Sequence, residues 1–104
     1  MGLLDFLMGP DINKGVETYK KTEGAVLLDV RTPEEYQQRN IPGSKNVPLQ
    51  QISNVEKIVA DKDTPLFVYC LSGGRSSAAT KALKQMGYSN VSNIGGISAY
   101  KKKD

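Results

Sequence analysis

The sequence predicts an α/β fold: a small, mostly parallel sheet with helices on both faces. Three observations carry that prediction. Short apolar runs, Val26-Leu27-Leu28, Leu66-Phe67-Val68-Tyr69 and Val91 to Ile94, alternate with segments of helical spacing. No tight hairpin signal joins one run to the next, so the runs are expected to pair in parallel through helical crossovers. The first two runs lead into Asp29 and Cys70, and in open sheets of this kind ligands bind beyond the carboxyl ends of the strands.

The elements follow in order. Residues 13–22 read as a leading helix capped by Asn13, on a weak apolar pattern. Val26 to Leu28 forms a strand buried on both faces and ending at Asp29. Thr32-Pro33-Glu34-Glu35 supplies an N-cap, Pro at the first helical position and Glu at the third, a capping box that starts a short helix ending near Asn40. Ile41-Pro42-Gly43-Ser44 reads as a type II turn. Leu49, Ile52, Val55, Ile58 and Val59 recur at helical intervals and predict a helix from Leu49 to Asp61. Pro65 opens the second apolar run, which delivers Cys70 at its end. Ser72-Gly73-Gly74 is a loop, and Arg75-Ser76 begins a helix with Ala78, Ala79, Ala82, Leu83 and Met86 as its buried stripe. Gly87 follows as the residue that ends it. Val91 to Ile94 is the last strand, followed by Gly95-Gly96 and a helical turn around Ser98–Tyr100.

Bulk properties narrow the function. A chain of 104 residues is one domain by length. The net charge of +3 reads as a solvated surface, and no stretch interleaves dense basic residues with aromatics, so nucleic acid is not expected as a partner. Lys101, Lys102 and Lys103 read as a solubilising tail. The sequence contains no His, which removes imidazole as general base, metal ligand or pH switch. One Cys leaves no internal disulfide and no cysteine-cluster metal site. No metal and no organic cofactor is expected. An unpaired thiol suits a reducing compartment, and with no export signal visible the expected location is the cytoplasm. The first ten residues form a separate apolar segment ahead of a domain at 11–104. Its run MGLLDFLMG is too short to span a bilayer and reads either as a flap over the domain or as a docking segment.

Chemistry concentrates in Cys70-Leu71-Ser72-Gly73-Gly74-Arg75-Ser76. A strand enters, a glycine-containing loop turns, and a helix leaves with its unpaired amides and positive dipole end facing back. Two glycines let successive amides curl into an anion-binding nest, and Arg75 adds a permanent positive charge with planar, multidentate donors. A thiol at the base of such a cup has its pKa lowered. The competing reading is a buried structural cysteine at the end of a core strand.

These residues resemble the rhodanese homology domain, whose active loop is a Cys, four residues and an Arg, the spacing of CLSGGR here. LLDVRTPEEYQQRNIPGSKNVPL and NIGGISAYKK are similar to two further segments of that family, in the family's order, so the resemblance covers residues 11 to about 102. It implies a sulfurtransferase in which Cys70 accepts a sulfane sulfur as a persulfide. The amides of Leu71, Ser72, Gly73, Gly74, Arg75 and Ser76 would cradle the sulfur and its anionic donor. Arg75 would bind the donor's charge or brace the loop. Asp29 and Arg31 would shape the rim or act as a salt-bridged anchor. The implied partners are a small anionic sulfur donor such as thiosulfate and a thiol or cyanide acceptor, with a protein acceptor as an alternative. Leu71 stands where many thiosulfate-using members carry a basic residue, Asn40 where the family often has His, and Tyr100 where many have Trp. Three rivals remain open: an oxyanion enzyme on the same fold, which carries one more residue between Cys and Arg; a persulfide carrier with little free turnover; and a redox-sensing cysteine.

Overall fold

The computed structural model describes residues 9–101; the apolar run at 1–8 and the tail lysines Lys102 and Lys103 lie outside the described residues. Helix α1 (Ile12–Lys21) precedes strand β1 (Val26–Asp29), helix α2 (Pro33–Gln38) and the short strand β2 (Lys45–Asn46). A 3-10 segment (Leu49–Asn54) runs into α3 (Val55–Ile58), followed by β3 (Leu66–Cys70), α4 (Gly74–Gln85), β4 (Val91–Gly96) and a closing 3-10 turn (Ile97–Ala99). The four strands form one sheet in the order β2-β1-β3-β4, and all three pairings are parallel, as the alternating pattern predicts.

Side-chain alternation divides the core by sheet face. Leu66, Val68 and Cys70 point to one face and pack with Val55 and Val59, and with Ala79 and Leu83 of α4. Phe67 and Tyr69 point to the other face and pack with Ile12 and Val16 of α1, Ile94 and Ile97. The thiol therefore belongs to the α4 side of the sheet. No helix among the described residues is long and apolar enough to cross a membrane.

Several element boundaries differ from the sequence reading, each for a local reason. Asp11, not Asn13, caps α1: its side chain accepts the Asn13 amide at 3.0 Å. Asn13 instead reaches the far end of the chain, donating to the Ala99 carbonyl and accepting the Lys101 amide. The segment at 49–61 is not one α-helix, because Gln51 leaves helical geometry and a 3-10 stretch precedes a single α turn. The chain begins this segment at Pro48, and its Val55 and Val59 alone are deeply buried. On α4, Ala78 is exposed and the buried line runs through Ser76, Ala79 and Leu83. Strand β4 continues through Gly96, two residues beyond the expected end, and β2 has no expectation to match because two residues carry no readable period.

Other signals translate directly into geometry. The Thr32–Glu35 capping box is present in both directions. Gly43 adopts φ 89, and the Ser44 amide donates to the Ile41 carbonyl, closing the Pro-Gly turn. Gly87 adopts φ 103 while the Gly87 and Tyr88 amides bond to the Lys84 and Leu83 carbonyls, the pairing that ends a helix through a left-handed residue.

Candidate active site

The site begins where β3 stops. Cys70 is the last residue of a strand buried along its whole length, so the backbone delivers the thiol to the sheet's carboxyl edge. Gly73 turns the chain with φ 108 and stands as the N-cap of α4, a conformation that favours glycine. This fold-back sends the Gly73 amide to Cys70 Sγ at 3.0 Å. The side chain of Ser76, in the first turn of α4 and fully buried, places Oγ 3.4 Å from Sγ. Burial pushes the Cys70 thiol up. The Ser76 hydroxyl and the amides of Ser76, Gly73 and Ser72 pull it down more strongly, so it lies below the ordinary thiol value. Of the expected cradle, the Leu71 side chain faces solvent, and its carbonyl accepts the Ser98 amide at 3.1 Å. Gly74 opens α4.

Arg75 turns to α2. Its two terminal nitrogens donate to the two Glu35 oxygens at 2.7 and 3.0 Å, a bidentate pair. The Arg75 guanidinium holds the Glu35 carboxyl down at about 2, and the same carboxylate closes the capping box with Thr32. Sequence reasoning placed Glu35 in the cap alone. Its second duty was invisible because Glu35 and Arg75 are 40 residues apart.

Asp29 and Arg31 lie next to β1's end as a buried ion pair. Arg31 Nη2 meets Asp29 Oδ2 at 2.6 Å, and Nε and the Arg31 amide also donate to the same carboxylate. Arg31 Nη2 further donates to the Arg39 carbonyl at 2.6 Å, and Asn46 Nδ2 donates to the carbonyls of Asp29 and Arg31. Together these bonds tie the end of β1 and the loop after it to β2 and to the end of α2, which is the arrangement of an anchor.

Gly95 and Gly96 belong to the site although the sequence reading gave them no role. A Cβ on Gly96 would collide with the Leu71 carbonyl and the Ser72 Cα, so the loop after Cys70 rests directly on β4. Where β3 and β4 pair, the register slips: Val68 lies opposite Asn93 and Tyr69 opposite Gly95, leaving Ile94 as the extra residue of a bulge. The bulge turns Asn93 toward the loop, where its Oδ1 accepts the Ser76 hydroxyl at 2.7 Å. Beside the loop lies an open cleft of about 480 Å³ lined by Ser72, Gly73, Ser77, Asn93, Gly95, Gly96 and Ser98, with Gly9, Pro10 and Ala99 completing it. Among the described residues its lining carries no charged side chain.

A thiol at a strand end thus faces amides at the start of the following helix in a parallel α/β sheet. The chain belongs to the rhodanese-like domain family, whose pattern it matches over residues 14–103. It is 41% identical over 71 residues to the thiosulfate sulfurtransferase PspE of Escherichia coli K12, covering 67% of this chain and 68% of that protein. A solved rhodanese with anions from E. coli superposes with a TM-score of 0.70 at 38% identity, over 73% of this chain and 91% of that one. The adenylyltransferase and sulfurtransferase uba4 of Ogataea parapolymorpha is 32% identical over 98% of this chain, which spans only 27% of that longer protein.

Proposed function

We propose that the protein is a sulfurtransferase that carries a sulfane sulfur as a persulfide on Cys70, with residues 11–104 as the transferring domain. Family membership and relatives named thiosulfate sulfurtransferase support sulfurtransferase activity in general. The observation that carries the finer reading is the environment of Sγ: a thiol 1% exposed, yet held below its ordinary pKa by hydrogen bonds. Burial alone predicts the opposite shift. A purely structural cysteine has no use for that compensation.

In the first half-reaction the Cys70 thiolate attacks the outer sulfur of a donor such as thiosulfate. The donor's S–S bond breaks, and sulfite leaves with the electron pair. In the second, an acceptor thiolate or cyanide attacks the outer sulfur of the persulfide, and Cys70 leaves as thiolate. The Gly73 amide, already 3.0 Å from Sγ, stabilises negative charge there in both steps. Asp29 and Arg31 brace the end of β1 beside β2, and Arg75 holds the loop against α2 through Glu35.

Intact mass after brief incubation with thiosulfate and desalting tests the scheme. Wild type is expected to gain one sulfur, about 32 Da, while Cys70→Ser gains none. Persulfide donors of other classes form the second arm of the same experiment. If no donor adds sulfur to a thiol that still reacts with an alkylating agent, the persulfide scheme fails.

One observation favours a carrier over a free-turnover enzyme. Leu71, at the loop's outer side, is apolar and 45% exposed beside a cleft without charged side chains among the described residues. A small dianion finds little to attract it there, whereas a protein partner finds an apolar contact. Leu71→Lys is expected to raise the rate of sulfur loading from thiosulfate if free turnover is the main activity.

A further inference from the structure

Asn93 stands beside the reacting thiol, and neither half-reaction above uses it. Its Oδ1 accepts the Ser76 hydroxyl at 2.7 Å and the Gly95 amide at 3.0 Å. The Gly95 amide can only donate, which settles that the oxygen of Asn93, and not its nitrogen, faces inward. Ser76 has one hydroxyl proton to give. Within reach of Ser76 Oγ are Asn93 Oδ1 at 2.7 Å, the Gly73 carbonyl at 3.0 Å, Cys70 Sγ at 3.4 Å and the Gly95 carbonyl at 3.5 Å. The shortest contact goes to Asn93.

With its proton on Asn93, Ser76 turns lone pairs toward Sγ and accepts the thiol's S–H. That arrangement suits the neutral thiol. A thiolate has no proton to donate, so Ser76 helps it only when the hydroxyl rotates from Asn93 to Sγ. We propose that Asn93 is a positioning residue that sets the reactivity of Cys70 by competing with its sulfur for the Ser76 hydroxyl. On ionisation the thiol proton leaves to water. The Ser76 O–H bond stays intact and only turns, and Asn93 Oδ1 keeps its bond from the Gly95 amide. In the persulfide, Sγ carries no charge and the hydroxyl returns to Asn93. When an acceptor attacks and Cys70 departs as thiolate, the hydroxyl swings back to meet the charge. The β4 bulge places both ends of this device, because the extra residue Ile94 separates Asn93 from Gly95.

Among the described residues, the charged groups around Cys70 are few. Arg75, on α4, interacts with the thiol's charge and is itself met by Glu35 from α2. Asp29, at the end of β1, is met by Arg31. Strand β4 faces the loop with Asn93, Gly95 and Gly96, and the closing turn adds Ser98. On the opposite sheet face Tyr69, pushed up to about 12 by burial, stays neutral.

The inference rests on Cys70 being the reacting thiol, so its test uses no sulfur donor: iodoacetamide alkylation followed by mass across a pH series. Failure of persulfide formation and failure of the Asn93 role then read out separately. Asn93→Ala is expected to lower the apparent thiol pKa by about half a unit, about threefold faster alkylation below it. In a Ser76→Ala background the same substitution is expected to change nothing. An unchanged or raised pKa in Asn93→Ala, or an equal shift with and without Ser76, overturns the proposal. Asn93→Asp keeps an acceptor for Gly95 and serves where the alanine variant does not fold. As a stronger acceptor it is expected to raise the thiol pKa, with Ser76→Ala removing most of the rise. An equal rise in both backgrounds is plain charge repulsion and overturns the proposal too.

Discussion

The carboxylate of Glu35 accepts from Thr32 in the capping box of α2 and from both terminal nitrogens of Arg75 at the start of α4. Arg75 lowers Glu35 from 4.5 to about 2 in the folded protein. A carboxyl depressed on folding adds stability above its unfolded pKa and loses it as pH falls through the folded one. Glu35→Gln is therefore expected to cost about 1 kcal/mol at neutral pH, the scale of a solvent-screened pair. The gap to wild type should narrow as pH falls from 4.5 toward about 2. Thermal unfolding of both proteins over that range checks the sign, and a gap that stays constant with pH excludes the ion pair as its source. Glu35 as a cap was legible in Thr-Pro-Glu-Glu. Its partner across 40 residues was not, because a sequence pattern records only neighbours along the chain.

At the scale of elements, the loop after Cys70 depends on how closely β4 approaches it. Gly96 has no room for a Cβ against Leu71 and Ser72, and those atoms are backbone that cannot swing aside. Gly96→Ala is expected to displace the loop and to slow sulfur loading by about tenfold or more, since small misplacements of reacting groups are costly. Overpacking of this kind also destabilises by about 1–3 kcal/mol. Loading followed by mass, together with Tm, separates the two effects: wild-type loading in a folded variant would free the loop from β4. The Gly-Gly pair was visible in the sequence as a turn signal. The contact that makes Gly96 obligatory arises only when β3 and β4 lie side by side with a bulge between Val68 and Tyr69. The segment at 49–61 illustrates the converse: apolar spacing suggested one helix, but Val55 and Val59 are deeply buried while Leu49 and Ile52 pack against the core only in part, and Gln51 leaves helical geometry between them.

The whole molecule is a sheet between two cores. Leu83 of α4 lies in one and Ile12 of α1 in the other, both essentially unexposed. Leu83→Ala and Ile12→Ala are each expected to cost about 2–5 kcal/mol. Separated by the sheet and without shared partners, they should add within about 0.5 kcal/mol in urea unfolding. A double variant far more stable than the sum would mean that the two faces communicate through the sheet. The Leu83 face also carries Cys70, so Leu83→Ala is the variant expected to disturb the thiol, while Ile12→Ala leaves its alkylation rate near wild type.

Taken alone, the sequence determined the alternation of strands and helices, the parallel sheet, the turn glycines and the position of Cys70 before a helix. Those features are written in local terms: apolar period, caps, and the backbone freedom of glycine at Gly43, Gly73 and Gly87. It left Arg75 with two roles, Asp29 and Arg31 with two more, and Asn93 and Gly96 with none. Only the tertiary structure decided that Arg75 turns to Glu35, that Asp29 and Arg31 close on each other, and that Asn93 reaches Ser76. The physical reason is the same in each case. A side chain's hydrogen-bond partner depends on which strands pair and in what register, and that is set by burying two apolar faces at once rather than by any residue's neighbours along the chain.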